Sequence, residues 1–388
     1  MKKIYFDNNA TTPIDPEVFE AMVPFLKDEW GNPSSIHWAA RAPRKAVDEG
    51  REKVCKLLNC AALELIFTSS GTEGDNHAIR GVAYAKKEKG NHIITTKVEH
   101  PAVLNTCKAL AKEGFETTYL DVNAEGLLDL DALKAAITPK TILITVMYAN
   151  NETGVIFPIK EIGEIAKERG VTFHTDAVQA AGKIPIDVQK LNVDLLTISG
   201  HKLYAPKGMG ALFVKRGVRL VPLITGGHHE RNRRGGTENV AGIAAMGKAA
   251  EIAIRDMEKE GAQILALRNR LEKGLAEKIP HIKINGAIDR RLPNTSNISF
   301  EFVEGESLLL NLDMKGIAAS SGSACTSGSL EPSHVMLAMS LSHEMSHGSV
   351  RFSLGKMNTV EDIDYLIEIM PPIVERMRSM SPLYAGAK

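Results

Sequence analysis

Between residues 63 and 215 the chain alternates short apolar runs with stretches of helical periodicity, and few folds accept that pattern. The runs LELIFT, HIITT, TILITVMY, VTFHTDA, DLLTIS and GALFVK are rich in β-branched and apolar residues and read as strands. Residues 71–87, 101–112 and 158–169 separate them and read as helices. Strands joined through helices pair in parallel, because a parallel pair needs a long crossover. The expected fold class is therefore α/β, a mostly parallel sheet with helices on both faces. A long helical stretch follows, from about residue 238 to 278. Beyond it, TSNISF, a helix over 305–314, SVRFSL and a last helix predict a smaller α+β unit. The last helix opens at Thr359 and carries Ile363, Leu366, Ile367 and Met370 on one face. Pro371 and Pro372 are expected to end or kink it. The domain boundary is placed within the long helix, giving a large domain of 16–255 and a small one of 1–15 plus 256–388.

Lys plus Arg and Asp plus Glu each number 47 in 388 residues, so charge gives no case for nucleic acid or an anionic membrane. Hydrophobic residues at 44% are enough for a sizeable core. No apolar run approaches the roughly 18 residues of a bilayer span. The opening MKKIYFDNNATTP has two lysines but no apolar segment behind them, so a secretory signal is not expected. Four cysteines, Cys55, Cys60, Cys107 and Cys325, are too few and too scattered for a disulfide framework, which points to a reducing, cytoplasmic setting.

Cys55 and Cys60 fall in and just after a helical pattern and read as structural thiols. Cys325 differs. It lies in AASSGSACTSGSLEPSHVM, over 318–336, where Ser and Gly clusters mark a loop. Loops carry function more often than packing. The plain alternative is an exposed linker with an incidental thiol.

Ligands of such sheets gather at the carboxyl ends of strands, and four candidates stand there. In TSSGTEGDNHAI, small residues follow a strand and open a helix, so the N–H groups of Gly71 and Thr72 can converge on an anion. In HTDAVQAAG, Asp176 ends a strand with Gln179 three residues on, and a carboxylate there can hold a protonated ring nitrogen. In TISGHKLYAPKGMG, Lys202 follows a strand and can form a Schiff base. In TTKVEHPAVLNT, His100 precedes a helix-opening proline and can stack on a planar ring or move protons. Each alone also fits an ordinary cap, surface lysine or packing histidine. Adjacent His228 and His229 do not suit one metal ion, and His343 with His347, at i, i+4 with Glu344 after the first, is one short match and weak evidence for a metal by itself. An anion cradle, a carboxylate, a Schiff-base lysine and a ring-stacking histidine together are what pyridoxal phosphate needs.

The motifs YFDNNATTP, GNPSSIH, SSGTEGDN, EHPAV, YANNETG, FHTDAVQAAGK, SGHKLYAPKGMG, RRGGTEN, LPNTSNISF, the Cys325 loop and HGSVRFSLG occur nearly end to end. In these the chain resembles the cysteine desulfurases, most closely the NifS-like branch. The resemblance implies a fold-type I pyridoxal-phosphate enzyme with a seven-stranded type of sheet. It implies that Lys202 holds the cofactor, His100 stacks on its ring, Asp176 meets the ring nitrogen and Gln179 the ring hydroxyl. Gly71, Thr72, Ser199 and His201 would bind the phosphate, and Thr237 would reach it from the partner of a homodimer. Asn150 and Arg351 would hold the substrate, with Asn8 and Ala10 near its entrance. No metal is implied for catalysis. Gly74, His229 and Gly235 depart from the commoner family residues, and the ending SPLYAGAK lacks the longer tail of housekeeping relatives.

The implied reaction converts L-cysteine to L-alanine. Lys202 moves the Cα proton, and the Cys325 thiolate takes the substrate sulfur as a persulfide. An iron–sulfur scaffold of the NifU or IscU type is the implied acceptor, and Cys325 would meet its cluster. A mobile loop of small residues suits a thiol that visits a cofactor and then a partner. A selenocysteine lyase or other eliminating lyase, a sulfur-carrier platform with a vestigial site, and an aminotransferase are the alternatives.

Overall fold

The structure is a computed structural model that describes residues 2–321 and 332–385; Cys325 lies outside the described residues. Its strands are β1 (Ile4–Tyr5), β2 (Leu65–Thr68), β3 (His92–Thr96), β4 (Glu116–Leu120), β5 (Thr141–Thr145), β6 (Thr172–Asp176), β7 (Leu195–Ser199), β8 (Gly210–Val214), β9 (Ile282–Ile284), β10 (Thr295–Phe300), β11 (Ile317–Ala318) and β12 (Ser349–Ser353). Seven of them form one sheet in the order β2-β8-β7-β6-β5-β3-β4. Only β8 runs antiparallel to its neighbours, so the sheet is mostly parallel as expected. β2, β3 and β5 to β8 are buried along their whole length, as their nearly continuous apolar character requires.

The helices between strands begin where local chemistry satisfies their first N–H groups. Ser70 caps the helix Gly71–Lys86 by accepting the Glu73 N–H, and Glu73 reaches back to the Ser69 N–H at 2.8 Å. His100 caps the helix Pro101–Ala111, with proline at its first position. These caps fix how the chain turns from each strand end into the helix, and so where the intervening residues sit. The strand β4 and the helix Leu130–Ala136 escape the sequence pattern, because β4 is a half-exposed edge of polar residues.

The 39-residue helix Val240–Lys278 joins two apolar cores. Ile243, Met246, Ala249 and Ile252 pack with the large sheet, whereas Leu267, Leu271 and Leu275 pack with Ile298, Phe300 and Phe352. The second core covers the antiparallel sheet β12-β10-β9 and the parallel pair β1-β11. The N-terminal strand therefore belongs with the C-terminal unit, and it carries residues 7–10 to the edge of the large sheet.

The last helix, Val360–Met380, does not end at Pro371 and Pro372. Leu366, Ile367 and Met370 before the prolines and Ile373, Val374 and Met377 after them are buried in the same core. Six buried apolar side chains, at roughly 1.5–3 kcal/mol each, outweigh the missing N–H groups.

Candidate active site

A cavity of about 360 Å³ opens at the carboxyl ends of β2, β3, β5, β6 and β7, against β12 and the segment after β1. Its anion end is the start of the helix Gly71–Lys86. A helix leaves its first N–H groups without internal acceptors, and Gly71 and Thr72 line the cavity there. A Cβ on residue 71 would lie 2.7 Å from Val178 Cγ2 and 3.4 Å from Ser199 Cβ, so the close approach of two strand ends requires glycine. Ser199 Oγ is buried with no hydrogen-bond partner among the described residues. His201 Nδ1 meets Thr11 Oγ1 at 3.1 Å. Burial, reinforced by Lys202, Lys207 and Lys183, pushes its imidazole down to about 4.

Asp176 closes β6, and its Oδ1 accepts the Val178 N–H at 2.9 Å. Burial pushes its carboxyl up to about 6, against the opposing pull of that N–H and of Lys202. His174, two residues earlier on the same strand face, sits between Thr145 Oγ1 at 2.8 Å and Thr197 Oγ1 at 3.0 Å. Burial pushes it to about 3, so it is neutral. Lys202 ends a short turn, Gly200–Lys202, directly after β7. Its Nζ donates to the carbonyls of Asn9 at 2.5 Å and Ala10 at 2.6 Å. Gln179 Nε2 donates to the same Asn9 carbonyl at 2.9 Å.

His100 Nδ1 accepts the Ala102 N–H at 3.1 Å, which leaves the ring hydrogen on Nε2. Burial first, then the charges of Lys202 and His334, lowers its pKa to about 4. Arg351, on β12, points Nη1 at the Asn151 carbonyl, 2.9 Å away, and Nη2 at Asp7 Oδ1, 2.8 Å away. Its Nε is buried with no hydrogen-bond partner among the described residues.

The cavity thus gathers Gly71, Thr72, His100, Asp176, Gln179, Ser199, His201, Lys202, Ala10 and Arg351. Three expected residues stand elsewhere. Asn150 is buried and spent on its own turn: its Nδ2 donates to the Val98 carbonyl at 3.0 Å, and its Oδ1 accepts the N–H groups of Glu152 and Thr153. Asn151 lines the cavity instead. Asn8 donates to the Ser353 carbonyl at 2.9 Å and faces an adjoining cleft, while Asn9 takes the wall position. Thr237 lies in a separate depression with Met209 and Arg234. Asp75 was not anticipated. It follows Gly71 by one helical turn, which brings both to one face and is the signal that could have found it. Burial, with Asp176 nearby, pushes its carboxyl well above the usual range.

These groups fit pyridoxal phosphate. The helix start and the orphaned Ser199 hydroxyl suit a phosphate. A buried carboxylate whose ionisation is opposed by burial suits a cationic ring nitrogen.

Residues 4–366 match the family model of class-V aminotransferases. A cysteine desulfurase of Trichormus azollae is 58% identical over 98% of this chain and 95% of its own length. Among solved structures, a NifS-like protein superposes with a TM-score of 0.91 at 36% identity, covering 97% of this chain and all of its own. SspA in complex with cysteine gives a TM-score of 0.81 at 37% identity, over 92% of this chain and all of its own. The chain belongs to the pyridoxal-phosphate-dependent class-V aminotransferase family and, within it, to the cysteine desulfurases.

Proposed function

We propose that this cavity converts L-cysteine to L-alanine with pyridoxal phosphate held on Lys202, and that the sulfur passes to Cys325 as a persulfide. The observation that carries the reading is the convergence of Lys202, Asp176, the Gly71–Thr72 helix start and Arg351 on one cavity. When bound, the cofactor supplies an electron sink for negative charge at the substrate Cα. Asp176 would pair with its ring nitrogen and, beside a cation, would no longer bear an isolated buried charge. Gly71, Thr72, Ser199 and His201 hold its phosphate.

Arg351 presents a planar fork to the substrate carboxylate. Asp7 and the Asn151 carbonyl already hold that fork in place. Lys202 takes the Cα proton at Nζ and returns a proton later. The Cys325 thiolate then forms a bond to the substrate sulfur as the carbon–sulfur bond breaks. The electron pair stays with the carbon skeleton, which is protonated and leaves as alanine. His100 offers an N–H donor from Nε2. Acting as a base there requires the other tautomer and the loss of its bond to the Ala102 N–H.

The chain works as a homodimer in this reading, with Thr237 serving the partner's phosphate. Exposed Trp30, Ile36 and Trp38, with Val221, Leu223 and Ile224, supply apolar surface for that contact. Residues 16–255 form the cofactor domain, and 1–15 with 256–388 the small domain. The acceptor of the sulfur is an iron–sulfur scaffold or another thiol-bearing protein in the cytoplasm. None of the described helices is long and apolar enough to cross a membrane.

The test is incubation of the cofactor-loaded protein with L-cysteine and a reductant, following alanine and sulfide. Equal release of both, abolished in Cys325→Ala, supports the reading. Full alanine release by Cys325→Ala means that sulfur leaves without a protein thiol, as in a selenocysteine-lyase type of reaction, and pyruvate with ammonia in place of alanine marks a simple eliminating lyase.

A further inference from the structure

Lys183 follows Gln179 by one turn in DAVQAAGK, and nothing above gives it a role. Lysines usually reach solvent or pair with a carboxylate. Lys183 forms no ion pair within 4 Å among the described residues, and it is only partly exposed. Its Nζ instead donates to Gln179 Oε1 at 2.9 Å and to the Gln179 carbonyl at 3.1 Å. Burial, with Lys202 and Arg351 nearby, pushes its pKa down to about 7. A lysine amine turned onto a glutamine, close to two other cations, calls for a reason.

The reason lies in the amide of Gln179. A side-chain amide has an accepting and a donating end, and its environment decides which faces where. The Asn9 carbonyl can only accept, and it meets Gln179 Nε2 at 2.9 Å. Lys183 meets the other end and donates to it. Both neighbours impose the same orientation. The cavity wall at Gln179 therefore carries N–H groups, and Asn9, whose carbonyl also takes Lys202, is tied into the same set.

We propose that Lys183 is a positioning residue that fixes the Gln179 amide so that its N–H end serves an anionic oxygen of the cofactor ring. This rests on the cofactor reading above. Without Lys183, Gln179 Oε1 is buried without a donor, and the side chain turns to find one. A ring oxygen that loses an N–H donor holds its proton more tightly.

The experiment titrates cofactor-free protein with pyridoxal phosphate and then titrates the visible absorbance of the loaded protein with pH. Wild type, Lys183→Met, Lys183→Arg, Gln179→Ala and the Lys183→Met, Gln179→Ala double variant are compared. Asp75, Asp176, His100, His201, Lys202 and Arg351, the titratable groups of the wall, are unchanged in all five. Lys183→Met is expected to bind the cofactor roughly ten-fold more weakly. Its absorbance midpoint is expected about one pH unit higher. Lys183→Arg should recover most of both, because it keeps a donor at Oε1. In the Gln179→Ala background, Lys183→Met should change neither, since coupled residues are non-additive. Unchanged binding and midpoint in Lys183→Met, or equal effects in both backgrounds, overturn the proposal. A lowered melting temperature with an unmoved midpoint does the same, because it makes Lys183 a purely structural cap. If Lys183→Met does not fold, the Lys183→Arg and Gln179→Ala comparison decides: Gln179→Ala must move the midpoint up and Lys183→Arg must not. Failure of the wild type to take up the cofactor is a different result and removes the cofactor reading itself.

Discussion

Arg351 on β12 and Asp7, just after β1, are joined by a 2.8 Å bond from Nη2 to Oδ1, and both side chains are largely buried. The pair ties the N-terminal strand to the C-terminal sheet and aims the guanidinium. A fork held this way needs little reordering when a carboxylate arrives.

Replacing Arg351 with lysine keeps the charge but loses the fork. The expected result is a fall in kcat/KM for L-cysteine of roughly 10- to 100-fold, mostly through KM. Asp7→Asn should cost only a few-fold, because the Asn151 carbonyl still holds Nη1. Steady-state alanine formation against cysteine concentration measures both.

Asn150 and Asn151 should separate stability from activity. Asn150 is buried and satisfies the Val98 carbonyl and two N–H groups, so Asn150→Ala is expected to destabilise the protein by about 2–3 kcal/mol in thermal or denaturant unfolding. Asn151→Ala should leave stability within about 0.5 kcal/mol and lower kcat/KM by roughly ten-fold.

Asp176 gives a pH signature in the cofactor-free protein. Burial raises its pKa in the folded chain to about 6, above the unfolded value. The folded state therefore binds this proton more tightly, and stability is lost as pH rises from about 4 through 6. Asp176→Asn should be the more stable cofactor-free protein at pH 8, by up to roughly 3 kcal/mol, and the difference should close near pH 4. Loaded with cofactor, the same variant should lose turnover by roughly 100-fold or more, because the ring nitrogen loses its carboxylate. Melting curves at the two pH values and a turnover assay check each half.

Lys202→Ala should retain no cofactor after borohydride reduction and gel filtration, whereas the wild type should carry its mass on Lys202. Turnover should fall by at least about 1,000-fold.

The large sheet was legible because its strands are buried on both faces and announce themselves as apolar runs. β4 was not, since its edge position leaves ETTYL without a buried side to pattern it. The prolines of the last helix left an end and a kink both open, and the helix does not end there. Local chemistry argues for a break at Pro371, but the buried face continues to Met377, and burial decides. In the site, strand ends fixed Asp176 and Lys202 at sight. In the two asparagine pairs the sequence pointed to Asn8 and Asn150, whereas Asn9 and Asn151 line the cavity. Asn8 or Asn9, and Asn150 or Asn151, differ by one step of backbone, which turns a side chain from one environment to another. Only the packing of β12 and the turn after β5 shows which member meets the cavity.

The most direct test of the central claim is the intact mass of the loaded protein after L-cysteine without reductant. The account predicts a gain of one sulfur atom that maps to Cys325, is removed by dithiothreitol and is absent from Cys325→Ala. Alanine formed with no sulfur on Cys325 would contradict it.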